Sequence, residues 1–488
     1  MPCTTILVGK GASFDGSTMI ARTDDGGFDV KKLTLVKPSQ QKRKYKSVIG
    51  HLAIELPEEP LAYTACPNVD LKEGIWAATG INAENVGMTA TETITTNARV
   101  LGADPLVRYK KAEKRGEKDV PGGIGEEDLL VLVLPYIRTA RQGVERLGAL
   151  LEKYGTYESN GIAFNDANEV WWLETIGGHH WIARKVPDEA VVIMPNQFGM
   201  DEFDFARANE SGGDYMCSKD LEAFARKNAL ILNPAEEKID IRAAFGSHSD
   251  ADHIYNTPRA WFMGRYLCPD QYKWDGEGAD FTPTSDRIPW CLVPSRRVTV
   301  EDVKYLLSSH YQGTPYDPYG KDGDPRRHLY RPIGKNNTGV MTVNQIRGSL
   351  PKAIQAVEWL CFCSTTFDAL APVYTQTGEV PAYYERVTLN ASTENFYWCS
   401  RMLGALTDAH YGPCAIYIER YQNQMAAEAH RLLNEWDERY LADPKSFDAA
   451  KANQEIADMA KKETQKALNN VLNEATRRMT NGFTRGDN

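Results

Sequence analysis

A chain of 488 residues is longer than one hydrophobic core usually grows, so one large elaborated domain or two closely packed ones are expected. Its 42% hydrophobic and 25% charged content excludes a disordered chain, and no apolar run reaches the roughly 18 residues of a membrane helix. With 56 Lys+Arg against 66 Asp+Glu, a net charge of −10, the chain lacks the basic face that nucleic acid requires, and no nucleic-acid or membrane partner is expected.

In chain order, residues 3 to 9 are predicted as a strand, 11 to 16 as a turn, and 17 to 22 as a returning strand, a hairpin that brings Arg22 and Asp25 back towards Cys3. Short strands are predicted at 32 to 37, 51 to 56, 74 to 78 and 85 to 91, with a turn at Gly80-Ile81-Asn82-Ala83. The basic, Gly/Pro-punctuated stretch 100 to 123 is predicted as an exposed excursion. The acids of Gly125-Glu126-Glu127-Asp128 then suit the first turn of a helix, with helices at 128 to 138 and 140 to 153.

Strands at 161 to 164, 169 to 174, 180 to 183 and 190 to 194 read as an antiparallel meander. Helices follow at 218 to 227, 300 to 308 and 351 to 359, and two long charged amphipathic ones between 415 and 479 break near Asp443-Pro444 and are expected to serve packing. Strand runs and helix runs with little βαβ alternation predict an α+β architecture. Nine cysteines with no CxxC pair, the nearest approach being Cys361-Phe362-Cys363, give no reason to expect zinc. The odd count and the lack of a secretory signal pattern point to reduced thiols and a cytoplasmic location.

Cys3 carries the chemical interest. Removing Met1 and Pro2 would put a thiol and a free amine on one residue. A thiol attacks well only as thiolate. An α-amine, with an ordinary pKa of roughly 7.7 to 8, is partly unprotonated near neutral pH and can take the thiol proton. A free cysteine is most simply a core residue, so the case rests on what surrounds it.

Cys3, Arg22-Thr23-Asp24-Asp25, Ile193-Met194-Pro195-Asn196-Gln197 and Asn256-Thr257-Pro258-Arg259 together resemble the peptidase C69 dipeptidase family of N-terminal nucleophile hydrolases. The segments Gly123 to Asp128, Val170 to Thr175 and Gly177 to Trp181 extend the resemblance over most of the chain. It implies a four-layer αββα fold, with two stacked antiparallel sheets between helices, and a cysteine freed by propeptide removal. Choloylglycine hydrolases and penicillin V acylases share that arrangement. By the same resemblance, Arg22 and Asp25 match an Arg-x-x-Asp motif beside the cysteine, the aspartate orienting the amine. Asn196 matches an oxyanion-site asparagine, and Arg259 the second active-site arginine.

These residue types suit amide hydrolysis, because a tetrahedral oxyanion is held by preorganised N–H donors and a neighbouring cation favours a thiolate. A buried Arg–Asp structural pair is the plain alternative for Arg22 and Asp25. Asn82 and Glu92 are candidate substrate-binding residues, set against a turn asparagine and a solvent-exposed sheet-edge carboxylate. His179 and His180 invite a metal, but adjacent strand residues point to opposite faces, and no metal site is expected. Trp171-Trp172 is expected to place one ring in a sheet core and the other on the surface or against a helix.

The resemblance departs at the leader. If Pro2 stays, the Cys3 nitrogen is an amide and no base, so cleavage of the Pro2–Cys3 bond by the chain itself or by another peptidase is required. The expected division is a propeptide at 1–2, a catalytic domain at 3–414 and a helical extension at 415–488. The expected protein is a cytoplasmic, homo-oligomeric thiol dipeptidase that acts on small peptides through a thioester, without metal or organic cofactor. The alternatives are an N-acyl amide hydrolase and a non-catalytic interaction protein of the secernin type.

Overall fold

The computed structural model describes residues 3–232, 238–320 and 323–479. The leader Met1-Pro2 lies outside the described residues. The N-terminal run Thr4-Thr-Ile-Leu-Val8 forms strand β1 (Thr4–Val8), and β2 (Thr18–Asp25) returns antiparallel to it with Thr4 opposite Thr23. Every residue of both strands is buried. Two covered faces explain why these strands read as apolar and β-branched runs rather than as a polar/apolar alternation.

The hairpin sits in the middle of a seven-stranded sheet. Val191–Met194 flanks β1 and is flanked in turn by Cys291–Leu292, while Thr338–Ile346, Ala356–Phe362 and Ala371–Tyr374 continue beyond β2. A second sheet runs Tyr215–Cys217, His180–Lys185, Val170–Ile176, Asn160–Asn165, Gly87–Thr89 and Thr79–Ile81, with Glu92–Thr93 also paired to Asn160–Asn165. All of these pairings are antiparallel.

The predicted layers follow from which residues share a core. Leu7, Ile20 and Val192 of the first sheet pack on Ala163, Trp172 and Ile182 of the second, so the sheets stack face to face. Trp171, one residue away and pointing the other way, packs with Val144 and Leu147 of helix Ala140–Tyr154. Ile6, Val8, Met19 and Ala21 meet helices Thr257–Leu267 and Val300–Leu307 on the outer face of the first sheet. The architecture is therefore α+β, helix–sheet–sheet–helix. Both tryptophans are in core, one on each face of a central strand.

The long C-terminal helices are Tyr411–Ala442 and Ala449–Thr476, broken at Asp443-Pro444 as the proline requires. They share cores with the first sheet, through Met425, Ala457 and Ala460 against Leu360, Phe362 and Val373, and through Trp436 and Ile456 on the neighbouring cluster. No helix among the described residues is long and apolar enough to cross a membrane. All nine cysteines are free thiols.

Three expectations are corrected. The strand 190 to 194 does not continue a meander: Val191–Met194 leaves the second sheet and pairs with β1 in the first. Residues 351 to 359 are mostly not helix, since a single short turn at Lys352–Gln355 gives way to the strand Ala356–Phe362. A strand buried on both faces has no alternation, so its periodicity cannot tell it from a buried helix. The strand placed at 74 to 78 lies at Thr79–Ile81, inside the segment taken for a turn, and the turn falls later, where Asn85 adopts φ 58°.

Candidate active site

Alternation along the hairpin sorts the candidate residues onto two faces. Cys3, Thr5 and Leu7 on one strand, with Ile20, Arg22 and Asp24 on the other, face the second sheet. Thr4, Thr23 and Asp25 face the helices.

On the inner face, Arg22 is the hub. Its Nη2 donates to Cys3 Sγ at 3.0 Å, to Glu126 Oε1 at 2.5 Å and to Asp24 Oδ1 at 3.2 Å, while Nη1 donates to the Ala78 carbonyl at 3.0 Å. Lys31 Nζ closes the cluster on Asp24 Oδ2 at 2.7 Å. Glu126 reaches this position from a tight Gly-rich bend. A Cβ on Gly123 would lie 2.4 Å from the Gly155 carbonyl oxygen and one on Gly125 would lie 2.1 Å from the Tyr157 ring, so the bend closes only with glycine there. One ligand atom each from Cys3, Asp24 and Glu126 lie within 4.8 Å of one another, a donor set a metal could use. The Arg22 guanidinium already supplies the cation for all three.

The surroundings of the Cys3 thiol disfavour its ionisation. Burial pushes the Cys3 thiol up to about 12, with Arg22 opposing and Glu126, Glu92 and Asp24 adding to the rise. Burial also works against the Arg22 charge, yet Cys3, Glu126 and Asp24 outweigh it and hold the guanidinium firmly protonated.

The outer face is built differently. Arg259, in helix Thr257–Leu267, donates through Nη1 to the Cys3 carbonyl and, at 2.6 Å, to Thr4 Oγ1; Nη2 reaches Asn196 Oδ1 at 2.7 Å and Asn256 Oδ1 at 2.8 Å. Asn196 Nδ2 donates to the Thr93 carbonyl at 2.9 Å and Asn256 Nδ2 to the Asn196 carbonyl at 3.1 Å, so the two amides are cross-tied. Each of these acceptors of Arg259 is a neutral oxygen. Burial and then Arg331 push its pKa down to about 9, against Glu92, which leaves it charged at neutral pH.

Asp25 does not pair with Arg22, three residues away and on the other face. Its carboxylate accepts from Arg331 Nη2 and, at 2.6 Å, from Thr338 Oγ1. The β1–β2 register ends with Thr4 opposite Thr23, so Cys3 enters the sheet beside Asp24 and Asp25.

Glu92 is fully buried rather than a solvent-exposed edge residue. Its Oε2 accepts from Thr5 Oγ1 at 2.7 Å, and Oε1 has no partner among the described residues. Burial pushes its carboxyl up to about 7, against Arg259 and the Thr5 hydrogen bond.

Asn82 stands apart from this constellation. Its Nδ2 donates to the Leu134 and Ile137 carbonyls, each at 2.8 Å, and its Oδ1 accepts from Glu84 N and Val86 N. With all of its amide groups spent on backbone, it is a turn asparagine that also ties its turn to residues 134 to 137.

His179 and His180 converge after all, because His179 belongs to the Gly177-Gly178 turn and only His180 to the strand. Their Nδ1 atoms meet Asp104 at 3.0 and 2.8 Å. The carboxylate occupies the place between them.

Sequence reasoning missed Glu126, Asn256 and Arg331 as site residues. The signal for Glu126 was the two glycines just before it, Gly123 and Gly125; as a helix-dipole acid it was misread, since the helix Leu129–Val133 starts later. Asn256 was in view three residues before Arg259, within reach of that side chain. Arg331 carries no local signal and is found only through the fold.

Peptidase family C69 matches residues 2–424 of the chain. The chain is 51% identical to a dipeptidase of Bifidobacterium longum (strain NCC 2705), covering 100% of both chains. It is 48% identical to a probable dipeptidase A of Streptococcus pyogenes serotype M3 (strain SSI-1), covering 100% of each, and 40% identical to dipeptidase A of Lactobacillus helveticus, covering 98% of each. A cysteine at the head of an inner strand, an arginine on its sulfur and a second arginine on its carbonyl accord with these similarities: the chain belongs to peptidase family C69 and is a peptide hydrolase.

Proposed function

We propose that the protein is a dipeptidase whose nucleophile is the Cys3 thiolate, formed once Met1 and Pro2 have been removed. The observation that carries this reading is the Arg22 Nη2 to Cys3 Sγ contact of 3.0 Å beside a thiol raised to about 12. Such a thiol needs a base. Cleavage supplies one by turning the Cys3 amide into an amine of ordinary pKa about 7.7 to 8. Asp25, held by Arg331 and Thr338, gives that amine a neighbouring negative charge. The relatives named as dipeptidases support the substrate class.

In the proposed cycle the amine takes the thiol proton and Sγ adds to the peptide carbonyl. Asn196 and a backbone N–H receive the oxyanion, with the orientation of Asn196 fixed by Arg259 and Thr93. Collapse expels the leaving amine, which takes the proton from the Cys3 ammonium, and leaves a thioester. Water, deprotonated by the same amine, then releases the acid and restores the thiol. Glu92, with one buried oxygen unpartnered, receives the ammonium of the substrate.

The test combines N-terminal mass with turnover. Active protein is expected to begin at Cys3, and Cys3→Ala to lose at least about 1,000-fold in kcat/KM on a dipeptide panel. Full activity with Pro2 retained, or an active Cys3→Ala, overturns the mechanism. Preference for N-acetylated over free dipeptides overturns the dipeptidase assignment in favour of acyl amide hydrolysis.

A further inference from the structure

A dipeptide carries a carboxylate one residue beyond its scissile bond, so an enzyme confined to dipeptides gains by placing a cation there. The three arginines around Cys3 already have partners: Arg22 has Glu126 and Asp24, Arg259 has two asparagines, Thr4 and the Cys3 carbonyl, and Arg331 has Asp25. One more cation is close. Lys335 lies in the loop that joins Arg331 to Thr338, and both ends of this loop grip Asp25. Asn337 Nδ2 fixes the same loop to the Gly26 carbonyl at 2.6 Å, and Gly334 N fixes it to the Ser309 carbonyl at 2.8 Å.

The Lys335 side chain is half-buried, and burial and then Arg331 pull its ammonium below the ordinary lysine range, with Arg259 adding and Asp25 and Cys3 opposing. Among the described residues its side chain has no hydrogen bond or ion pair. Asp25 is the carboxylate nearest in effect, and Arg331 and Thr338 already hold it, so the ammonium is left beside two guanidinium groups with room for a further anion.

We propose that Lys335 receives the C-terminal carboxylate of the substrate and so restricts the enzyme to dipeptides. This rests on the dipeptidase reading above. Glu92 and Lys335 then act as opposite poles, the carboxylate on the inner face of the hairpin for the substrate ammonium and the amine on the outer side for its carboxylate. A third residue on the substrate would move its carboxylate by up to about 3.5 Å and replace it at Lys335 with a neutral amide.

The test compares one dipeptide with its C-terminal amide and with the tripeptide one residue longer, for processed wild type, Lys335→Met and Lys335→Arg. Wild type is expected to favour the free dipeptide over its amide in kcat/KM. Lys335→Met is expected to raise the KM of the dipeptide about 10- to 100-fold and to collapse that preference, while Lys335→Arg restores most of it. A merely structural lysine would weaken acid and amide alike, so an unchanged acid-to-amide ratio in Lys335→Met overturns the proposal and leaves the dipeptidase reading standing. Failure of wild type to cleave the free dipeptide overturns both.

Discussion

The two faces of the hairpin that carries Cys3 hold an arginine each, and the two are compensated in opposite ways. Arg22, on the inner face, sits among Glu126, Asp24 and the thiol, and its charge is neutralised by buried carboxylates. Arg259, on the outer face, is surrounded by hydroxyl, amide and carbonyl oxygens, with Arg331 as a cationic neighbour. Burial opposes both charges. Arg22 is ion-paired directly with carboxylates, which makes it the structural arginine as well as the partner of the thiol, whereas Arg259 meets neutral acceptors beside the Cys3 carbonyl and feels Glu92 and Asp25 only through space.

That contrast can be broken by substitution. Arg22→Met strands Glu126 in a dry site and is expected to cost about 3 to 5 kcal/mol in urea unfolding. Glu126→Gln added to it recovers at least about 1 kcal/mol, because the orphan is then neutral. Arg259→Met is expected to cost less, about 1 to 3 kcal/mol, while its effect on turnover is the larger of the two. Equal losses of stability would remove the distinction between the faces.

Glu92 sharpens it further through pH. Its folded pKa, about 7, is raised above the ordinary glutamate value, so the folded state binds the proton more tightly than the unfolded one. The stability this contributes is full below about pH 4.5 and is lost as pH rises through 7, a span of about 1 to 3 kcal/mol. Glu92→Gln is expected to flatten that part of the stability profile. A profile identical to wild type between pH 4.5 and 7 would mean that Glu92 is already ionised in the fold. The smallest effect lies far from the hairpin. Arg431→Ala, which breaks exposed pairs to Glu428 and Glu435, is expected to leave the urea unfolding midpoint unchanged within its measurement error.

Much of this was legible in the chain because it is local. The hairpin, the Ala140–Tyr154 helix and the break at Asp443-Pro444 each follow from a few neighbouring residues and from the period of the apolar ones. Cys3, Arg22, Asn196 and Arg259 were found through motifs and do converge in space. What motif matching alone could not supply was the direction of each side chain. The step from Arg22 to Asp25 is three residues, an odd number in a strand, and this alone puts them on opposite faces. Nor could it show that Val191–Met194 changes sheets, since pairing depends on partners nearly 190 residues away. Arg331 was invisible for the same reason, being 306 residues from the carboxylate it holds.

The crossing of Val191–Met194 to the flank of β1 also sets an order of assembly. The hairpin bearing Cys3 leaves the ribosome before its partners: one side of it waits for residues 191 to 194 and the other for Thr338–Ile346. At roughly 5 to 20 residues per second, the second flank follows Asp25 by about 15 to 65 s. During that time the cluster gains Glu126, then Asn196, then Arg259, and the surroundings of the thiol stay incomplete in the nascent chain. The surroundings of Cys3 are thereby completed only once Thr338–Ile346 has been made.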